Sequence, residues 1–402
     1  METPLANATA STRASRLTWP LPPFDFHPLT RVVFGVGSLA RLGELARELG
    51  GTRALLVTDP GLEAAGHPQR AAEFLREAEL KVAVFDAVEE NPTGRHVEAG
   101  VAVAQKHGID ILIAVGGGSA MDCAKGINFI LTNGGTIADY RGYGKATEPM
   151  LPSIGVPTTA GTGSESQSYA LIADDDTHMK MACGDPKVAF RIAILDPELT
   201  VTQSAKVTAI TGIDALSHAV ESYVTTQRSL LSQSFAHAAW RLLEPSLETV
   251  LRQPDNLEAR SAMQLGANFA GTAIENSMLG ACHACANPLT AHYGLTHGIA
   301  IGIMLPHVIR FNSAIVGEFY ADLAHEAGML NGDQEAAAES LAQRITELMK
   351  KTELPTTLSE CGVASGILPV LAEEAAQQWT ARFNPRPVDV AELLQLYEAA
   401  LA

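Results

Sequence analysis

Short apolar runs alternate with amphipathic stretches through the first half of the chain. From Arg31 to about Ala205, strand-like runs such as RVVFG, RALLVTD, KVAVFDAV and ILIAVGGGS are separated by stretches with helical spacing, such as ARLGELARELG and PQRAAEFLREAE. The alternation predicts repeated strand–helix units, and therefore a mostly parallel β-sheet with helices on its faces.

The pattern changes after about Lys206, where long amphipathic stretches rich in Ala, Leu and Glu contain few strand-like runs. This change predicts a second domain that is all helical. The segment DPELTVTQSAK, with Pro197 followed by Thr and Ser residues, is typical of a turn between the two domains, and we expect Thr208 or Thr211 to start the next helix.

We therefore assign an α/β domain to residues 26–205 and a helical domain to residues 206–402. Residues 1–25 are rich in Ser, Thr, Ala and Pro and lack a regular apolar period, which predicts a flexible arm. The arm carries arginines as a transit peptide does, but its Glu2 and its early prolines argue against targeting.

Composition narrows the class of protein and of partner. A chain of 402 residues with 47% hydrophobic and 18% charged residues can bury the cores of two domains. Its formal charge of -17 disfavours nucleic acid and anionic membrane as partners, and no run of about 18 apolar residues predicts a membrane span. Five thinly spread cysteines argue against a disulfide framework and for a reducing cytoplasm.

Two motifs of the second half contain ligand-type side chains. Asp214 and His218 in GIDALSHAVESY are four residues apart, so both project from one helix face, and His283 and His297 in ACHACANPLTAHYGLTHG can complete a shell. Three imidazoles and a carboxylate suit Fe(II), Zn(II) or Co(II) with a position left for substrate. Each residue alone is more often an ordinary packed side chain, so the prediction depends on the set.

Cys282 and Cys285 flank His283 as a single CxxC pair. A soft metal site or a redox pair is one interpretation. Because no second cysteine pair accompanies them, we favour core packing.

Two loops offer groups that bind phosphate. In ILIAVGGGSAMDCAKG, an apolar strand leads through three glycines into a helix expected to begin near Ala120, where backbone NH groups and the helix N-terminus attract a pyrophosphate. In IGVPTTAGTGSESQS, glycines alternate with hydroxyl side chains that can contact phosphate, ribose or carboxamide. Tight packing and a Thr-rich turn are the alternative interpretations of these loops.

Asp59, in LLVTDPG, ends a strand where dinucleotide-binding folds place an acid that hydrogen-bonds the adenosine ribose. A carboxylate there repels a 2′-phosphate, so it predicts NAD rather than NADP. The alternative is that Asp59 only caps the turn before Pro60. Asp122 also has two interpretations, as a residue of the first helical turn or as a ligand contact.

The motifs GGGSAMDCAK, PTTAGTGSE, GIDALSHAVESY and LTHGIAIGIMLPHVIRFN, in this order, resemble the iron-containing (group III) alcohol dehydrogenase family over about Phe26 to Ala402. The resemblance implies an NAD(P)-binding α/β domain, a helical domain and one catalytic divalent metal between them, Fe(II) first and Zn(II) as the alternative. It also implies a homo-oligomer, a dimer or larger. The implied metal ligands are Asp214, His218, His283 and His297, and the implied cofactor contacts are Asp59, Asn91, Gly117, Gly118, Ser119, Asp122, Thr158, Thr159, Thr162, Ser164 and Lys180.

The chain departs from the family pattern at two places. Ala120 stands where the family commonly has proline, a change expected to alter only the helix start. Asn287 stands four residues after His283, where another histidine is common, and an amide cannot exchange a proton near neutral pH. We expect Asn287 to face the substrate, and His292 is a candidate to take over the proton exchange, although a solvated or core imidazole is the alternative.

The activity that the resemblance implies is NAD-linked hydride transfer between nicotinamide C4 and a small alcohol or carbonyl compound that binds the metal. A hydroxyacid-oxoacid transhydrogenase or a glycerol dehydrogenase-like enzyme is an alternative that keeps the hydride step and changes the second substrate. Only a carboxylate-binding arginine in the pocket would favour it. A dehydroquinate synthase-like lyase needs a polyanionic substrate, and no dense Lys/Arg cluster lies beside the metal motifs. Lys180 is either a cofactor contact or a surface lysine.

Overall fold

A computed structural model describes residues 23–329 and 334–402 of the chain. Most of the arm predicted for residues 1–25 therefore lies outside the described residues. The first half contains a six-stranded sheet in which every neighbouring pair is parallel, in the order β1-β9-β6-β4-β2-β3. Its strands are β1 (Arg31–Phe34), β2 (Arg53–Val57), β3 (Lys81–Phe85), β4 (Ile111–Gly116), β6 (Ser153–Pro157) and β9 (Ile192–Leu195).

Helices cover both faces of this sheet, namely α1 (Leu42–Glu48), α2 (His67–Glu77), α3 (Gly94–His107) and α4 (Gly118–Asn133). Successive side chains of a strand point to opposite faces. Leu55 and Leu112 accordingly belong to the core that includes residues of α3 and α4, whereas Leu56 and Ile113 belong to the core that includes residues of α1 and α2. Burial on both faces explains why these strands are continuously apolar, and it confirms the predicted α/β class.

A second, three-stranded sheet of order β5-β8-β7 was not predicted from the sequence. It consists of β5 (Gly142–Tyr143), β7 (Tyr169–Ala173) and β8 (Lys180–Gly184), and β7 pairs antiparallel with β8. Lys180, one of the residues expected to contact the cofactor, is the first residue of β8.

Beyond β9 the described chain is helical, with α5 (Ala205–Val224), α6 (Leu230–Arg252), α7 (Leu257–Glu275), α8 (Ala281–Tyr293), α9 (His297–Glu326), α10 (Gln334–Lys351), α11 (Leu368–Ala376) and α12 (Val390–Ala400). Helix α5 begins earlier than the expected Thr208 or Thr211, because the Ser204 hydroxyl accepts a hydrogen bond from the Val207 NH at 3.2 Å and caps the helix. The change from alternating strands and helices to helices alone thus falls beside the predicted boundary at residue 205. The division into domains stays a prediction.

Helix α9 has the length and apolar composition of a membrane span, the one such helix within the described ranges. Of its apolar window, 67% is buried inside the protein. Its residues Ile301, Met304 and Leu305 lie in the helical core, so the apolar character of α9 is accounted for by packing against neighbouring helices.

The two halves meet at a close contact between backbones. A Cβ atom on Gly271 of α7 would lie 2.5 Å from the carbonyl oxygen of Gly163, and one on Gly163 would lie 2.8 Å from Gly271 Cα. Side chains of α7 also reach this loop, since Asn268 Nδ2 donates to Glu165 at 3.0 Å and Glu275 accepts from Ser168. The loop after β6 is therefore fixed to the helical half as well as to the sheet.

Candidate metal and cofactor site

The four predicted metal ligands converge at one point between the two halves of the molecule. Asp214 and His218 lie one turn apart on α5, His283 is the third residue of α8, and His297 is the first residue of α9. Asp214 Oδ1 lies 3.4 Å from His218 Nε2, 3.8 Å from His283 Nε2 and 3.9 Å from His297 Nε2. Helical spacing explains the first pair, whereas the start of two further helices supplies the others.

The donor atoms at this point are buried without partners. Asp214, His218 and His283 are each 5% exposed, and ligand atoms of Asp214, His283 and His297 lie within 4.8 Å of one another. Within the described residues, neither Asp214 Oδ1 nor His283 Nε2 has a hydrogen-bond partner. A buried carboxylate oxygen and ring nitrogen without partners are costly unless a cation satisfies them, so this arrangement fits a divalent metal.

Electrostatics at the cluster favour ligation by neutral imidazoles. Burial lowers the pKa of His218 to about 4, against the attraction of Asp214. Burial and then the positive charge of Lys180 lower the pKa of His297 well below its usual value. Two of the three imidazoles are thus neutral near pH 7, as metal coordination requires.

The pKa values of the other two members of the cluster, Asp214 and His283, are shifted in opposite directions. Burial alone would raise the pKa of Asp214, but the imidazoles, His218 first, hold it below its usual range. Burial would lower the pKa of His283, but the neighbouring carboxylates of Asp214 and Glu221 together raise it to about 9. A proton at His283 therefore competes with a metal, and cation binding must displace it.

Glu221 contacts the cluster and was missed by the sequence analysis. Its Oε2 atom lies 2.5 Å from His283 Nδ1, and its Oε1 atom accepts from the Cys282 NH at 2.9 Å. Glu221 follows Asp214 by seven residues and His218 by three, so the helical spacing that identified those two also placed it on the same face. Cys282 and Cys285 are fully buried free thiols in the helical core, in agreement with the interpretation as packing residues.

The two glycine-rich loops contact each other at the carboxyl edge of the sheet. A Cβ on Gly117 would lie 3.2 Å from Thr159 Cγ2, and one on Gly118 would lie 2.7 Å from Thr162 Cγ2. Helix α4 begins at Gly118, two residues before the expected Ala120, because Gly117 adopts the extended conformation of an N-cap. Ser119 lies partly buried in the first turn, where its neighbours' NH groups are free to bind an anion.

Asp59 lies beside the first of these loops. It follows β2, and its Oδ2 atom would be 3.3 Å from a Cβ on Gly116, the last residue of β4. Strand order reverses between β2 and β4, and open α/β sheets bind ligands in the crevice at such a point. Burial raises the pKa of Asp59, and the backbone NH groups of Gly61 and Leu62 oppose that rise.

Asp122 connects the loops through a buried hydrogen-bond chain. Ser164 Oγ donates to Asp122 Oδ1 at 2.7 Å, and Lys125 Nζ donates to Ser164 Oγ at 2.9 Å and to the Ser164 carbonyl at 2.7 Å. The carbonyl of Thr158, in the same loop, accepts from Gln203. These contacts hold both loops in one arrangement.

Lys180 and Asn91 lie at the margins of this region. Lys180 is partly buried rather than freely exposed, and burial lowers its pKa while Asp122 and Asp214 oppose the shift. The charge of Lys180 therefore acts both on Asp122 at the loops and on Asp214 and His297 among the predicted ligands. Asn91 adopts a left-handed conformation with φ 54° just before Pro92 and the start of α3.

The structure places the two candidate catalytic residues on α8. Asn287, one turn after His283, is partly buried and donates from Nδ2 to Gln378 Oε1 at 3.0 Å. His292 lies in the last turn, where Nε2 contacts the Glu374 carboxylate at 2.8 Å. The described contacts of His292 join it to α11 rather than to the metal cluster.

Comparison with known proteins gives matches over nearly the whole chain. The family model described as iron-containing alcohol dehydrogenase matches residues 29–197, and the model of the C-terminal part of the Fe-containing alcohol dehydrogenase family matches residues 208–401. The chain is 35% identical to the NAD-dependent methanol dehydrogenase of Bacillus methanolicus over 92% of its own length and 97% of that protein. It is 36% identical to the 1,3-propanediol dehydrogenase of Klebsiella pneumoniae, over 94% and 98%.

Solved structures give the same result. The crystal structure of a 1,3-propanediol oxidoreductase superposes with a TM-score of 0.91 at 35% identity, covering 94% of this chain and 100% of that one. The match includes both the sheet-containing half and the helical half.

Proposed function

The chain belongs to the iron-containing alcohol dehydrogenase family and is a metal-dependent, NAD-linked alcohol dehydrogenase or aldehyde reductase, and we propose that Asp214, His218, His283 and His297 hold its metal. The substrate class that we propose is a small alcohol or its aldehyde. Family members matched by this chain act on methanol and on 1,3-propanediol, as their names state.

One observation carries the assignment of the ligands. Asp214 Oδ1 lies within 3.9 Å of three Nε2 atoms from three different helices, and it has no hydrogen-bond partner among the described residues. A polar core built only for stability would have paired this oxygen, since an unpaired buried acceptor is costly. When bound there, Fe(II), or Zn(II) as the alternative, would supply Lewis acidity that stabilises negative charge on the substrate oxygen.

The chain's own residues bring the cofactor to this point. The pyrophosphate is bound by the start of α4, where Gly117 and Gly118 leave the backbone uncovered, and by the hydroxyls of Thr159 and Thr162 on the facing loop. Lys180 orients the nicotinamide half by its charge. Hydride transfer requires nicotinamide C4 in van der Waals contact with the carbinol carbon, which explains why loops and ligands converge in one crevice.

The cofactor preference follows from Asp59. Its position at the crevice between β2 and β4 supports a hydrogen bond from its carboxylate to the adenosine ribose hydroxyls. The same charge repels a 2′-phosphate. We therefore keep NAD as the cofactor, with Asn91, Ser119, Asp122, Thr158 and Ser164 as the remaining contacts.

Asn287 is the residue that we place on the substrate side. It lies on the His283 face of α8, and its amide is fixed by Gln378. An amide can donate or accept a hydrogen bond but cannot exchange a proton near neutral pH, so it orients the substrate. His292 remains the proposed proton carrier, with Glu374 as its partner.

The experiment that tests the function measures NADH formation. Purified protein loaded with Fe(II) under anaerobic conditions is mixed with NAD and a panel of small alcohols, 2-hydroxyacids and glycerol. We expect NADH absorbance to grow with at least one small primary alcohol, and His283→Ala to lose both bound metal and turnover. The exposed His325 on α9 provides the control, since His325→Ala keeps both. Metal-loaded protein that is silent with every alcohol of the panel, and with NADH and the matching aldehydes, would contradict the proposal.

We also propose that the protein works in the cytoplasm as a homo-oligomer. All five cysteines are free, which suits a reducing compartment. Sedimentation of the purified chain tests the oligomer, and a monomer at micromolar concentration contradicts it.

A further inference from the structure

The amino end of α8 is capped by side chains from other parts of the chain. Its N-cap residue, Gly280, has no side chain that could accept hydrogen bonds from the free NH groups of the first turn. Instead, the Ala281 NH donates to Asn384 Oδ1 at 3.2 Å, and the Cys282 NH donates to Glu221 Oε1 at 2.9 Å. The helix that carries His283 is therefore positioned by α5 and by the segment before α12.

Gly280 is required for this arrangement. A Cβ atom at this position would lie 2.9 Å from Asn384 Oδ1 and 3.0 Å from Glu221 Oε1. Both distances are shorter than an ordinary van der Waals contact, so any larger residue would push the two acceptors away from the helix.

Glu221 uses both of its oxygens at this point, and it is 3% exposed. While Oε1 accepts from the Cys282 NH, Oε2 lies 2.5 Å from His283 Nδ1. An ionised carboxylate only accepts, so Nδ1 must carry the hydrogen of this bond. In the neutral imidazole, Nε2 is then left as the lone-pair nitrogen, and Nε2 is the unpartnered atom that faces Asp214 at 3.8 Å.

We propose that Glu221 is a positioning residue that fixes the tautomer and the ring orientation of His283, so that its Nε2 lone pair is directed at the metal; this rests on the proposed ligand set. Asp214, His218 and Glu221 follow one another at four and three residues along α5. One helix face thus supplies two ligands directly and controls a third through its other ring nitrogen.

Glu221→Gln separates this role from simple packing, because glutamine has the same shape. If the amide oxygen accepts from the Cys282 NH, the NH2 group faces Nδ1 and forces the proton onto Nε2, which removes the lone pair. If the amide is turned around, its NH2 group faces the Cys282 NH, and two donors oppose each other. Only the second orientation leaves the Nε2 lone pair free, so metal binding must pay for the two opposed donors, and the variant loses affinity for metal while the core remains filled.

The experiment titrates Co(II) into metal-free protein under anaerobic conditions and follows the Co(II) absorption bands. Glu221→Gln is expected to bind Co(II) about 10- to 100-fold more weakly than the parent chain, with unchanged NADH affinity. Glu275→Gln is the matched control: it makes the same change at a partly buried carboxylate that accepts from the Ser168 NH and hydroxyl, where the hydroxyl can rotate to become the acceptor. This control should bind Co(II) like the parent.

Equal Co(II) affinity of Glu221→Gln and parent overturns the role of Glu221 and leaves the ligand set intact. A parent chain that binds no Co(II) overturns the proposed function itself, and this role with it. If Glu221→Gln does not fold, nitrogen NMR of the Zn(II)-loaded parent decides the question, with the His283 signals assigned by their loss in His283→Ala. A hydrogen on Nδ1 with Nε2 on the metal is expected, and the reverse assignment refutes the proposal.

Discussion

Replacement of Lys125 by methionine tests whether the two cofactor loops are held by a buried cation. Lys125 is 1% exposed, and its Nζ donates to the Ser164 carbonyl at 2.7 Å, to Ser164 Oγ at 2.9 Å and to the Tyr169 carbonyl at 2.7 Å. Asp122 Oδ1 lies 4.0 Å away. Methionine keeps the length and packing of the side chain but removes all three donated bonds and the charge.

The expected loss of stability comes from the buried groups that Lys125→Met leaves without a partner. Removing one partner of a buried ion pair destabilises a protein by about 3–5 kcal/mol, since the other charge is left in the interior. Lys125→Met also leaves three buried or partly buried acceptors without their donor, so we expect a loss of stability within this range. Most domains have a stability of about 5–15 kcal/mol, so the variant should fold with a lower free energy of unfolding.

The stability lost in Lys125→Met should depend on pH. Burial raises the pKa of Asp122, and the charge of Lys125 opposes that rise. Without Lys125 the pKa of Asp122 in the folded state rises further above its unfolded value. A carboxyl group shifted in this direction costs stability in its charged form, so the loss caused by Lys125→Met should grow as the pH rises above the usual pKa of an aspartate.

The assay is urea unfolding at several pH values, together with NADH binding. Lys351→Met is the control, because Lys351 is half exposed and its bond to Glu248 at 2.9 Å is a surface pair worth at most about 1 kcal/mol. Asp122→Asn in the Lys125→Met background should recover part of the loss, since no unpaired charge remains. A loss below about 1 kcal/mol for Lys125→Met, with no change in NADH affinity, would refute the reasoning.

Three further changes test the cofactor and substrate sides of the site. Gly118→Ala should weaken NADH binding measured by fluorescence, because its Cβ would lie 2.7 Å from Thr162 Cγ2. Gly366→Ala is the control and should leave NADH binding unchanged, since its Cβ would have nothing within 4 Å. Equal affinities of the two variants would contradict the loop contact. Asp59→Gly should raise the ratio of NADP to NAD turnover, and since burial raises the pKa of Asp59, the parent's ratio should also rise at low pH; an unchanged ratio means that Asp59 does not meet the ribose. Asn287→His restores a group that exchanges protons, so the pH profile of kcat should gain an ionisation near neutral pH, and an unaltered profile removes this position from the substrate side.

The fold class was predictable because local periodicity encodes it, and helical spacing also brought together two of the four proposed metal ligands. Strand β4 is buried on both faces, so its sequence is continuously apolar and flanked by a turn. Asp214 and His218 share a helix face by spacing alone. The order of the motifs along the chain supplied the remaining two histidines.

Other features depend on distant parts of the chain, so no local pattern indicates them. Lys125 would ordinarily be assigned to the surface, and only the contact of α4 with the loop after β6 explains its burial. Glu221 becomes important because α8 starts with a glycine that cannot cap it. The three-stranded sheet was missed because β5 has only two residues and because β7 and β8 pair antiparallel, outside the repeated strand–helix pattern.

The dependence of turnover on one bound metal ion can be measured by removing the metal, replacing it and following NADH formation. Protein dialysed against a chelator should lose turnover with a small alcohol in proportion to the metal lost. Anaerobic addition of Fe(II) should restore it at one metal per chain. Undiminished NADH formation by protein that contains no metal would contradict the account.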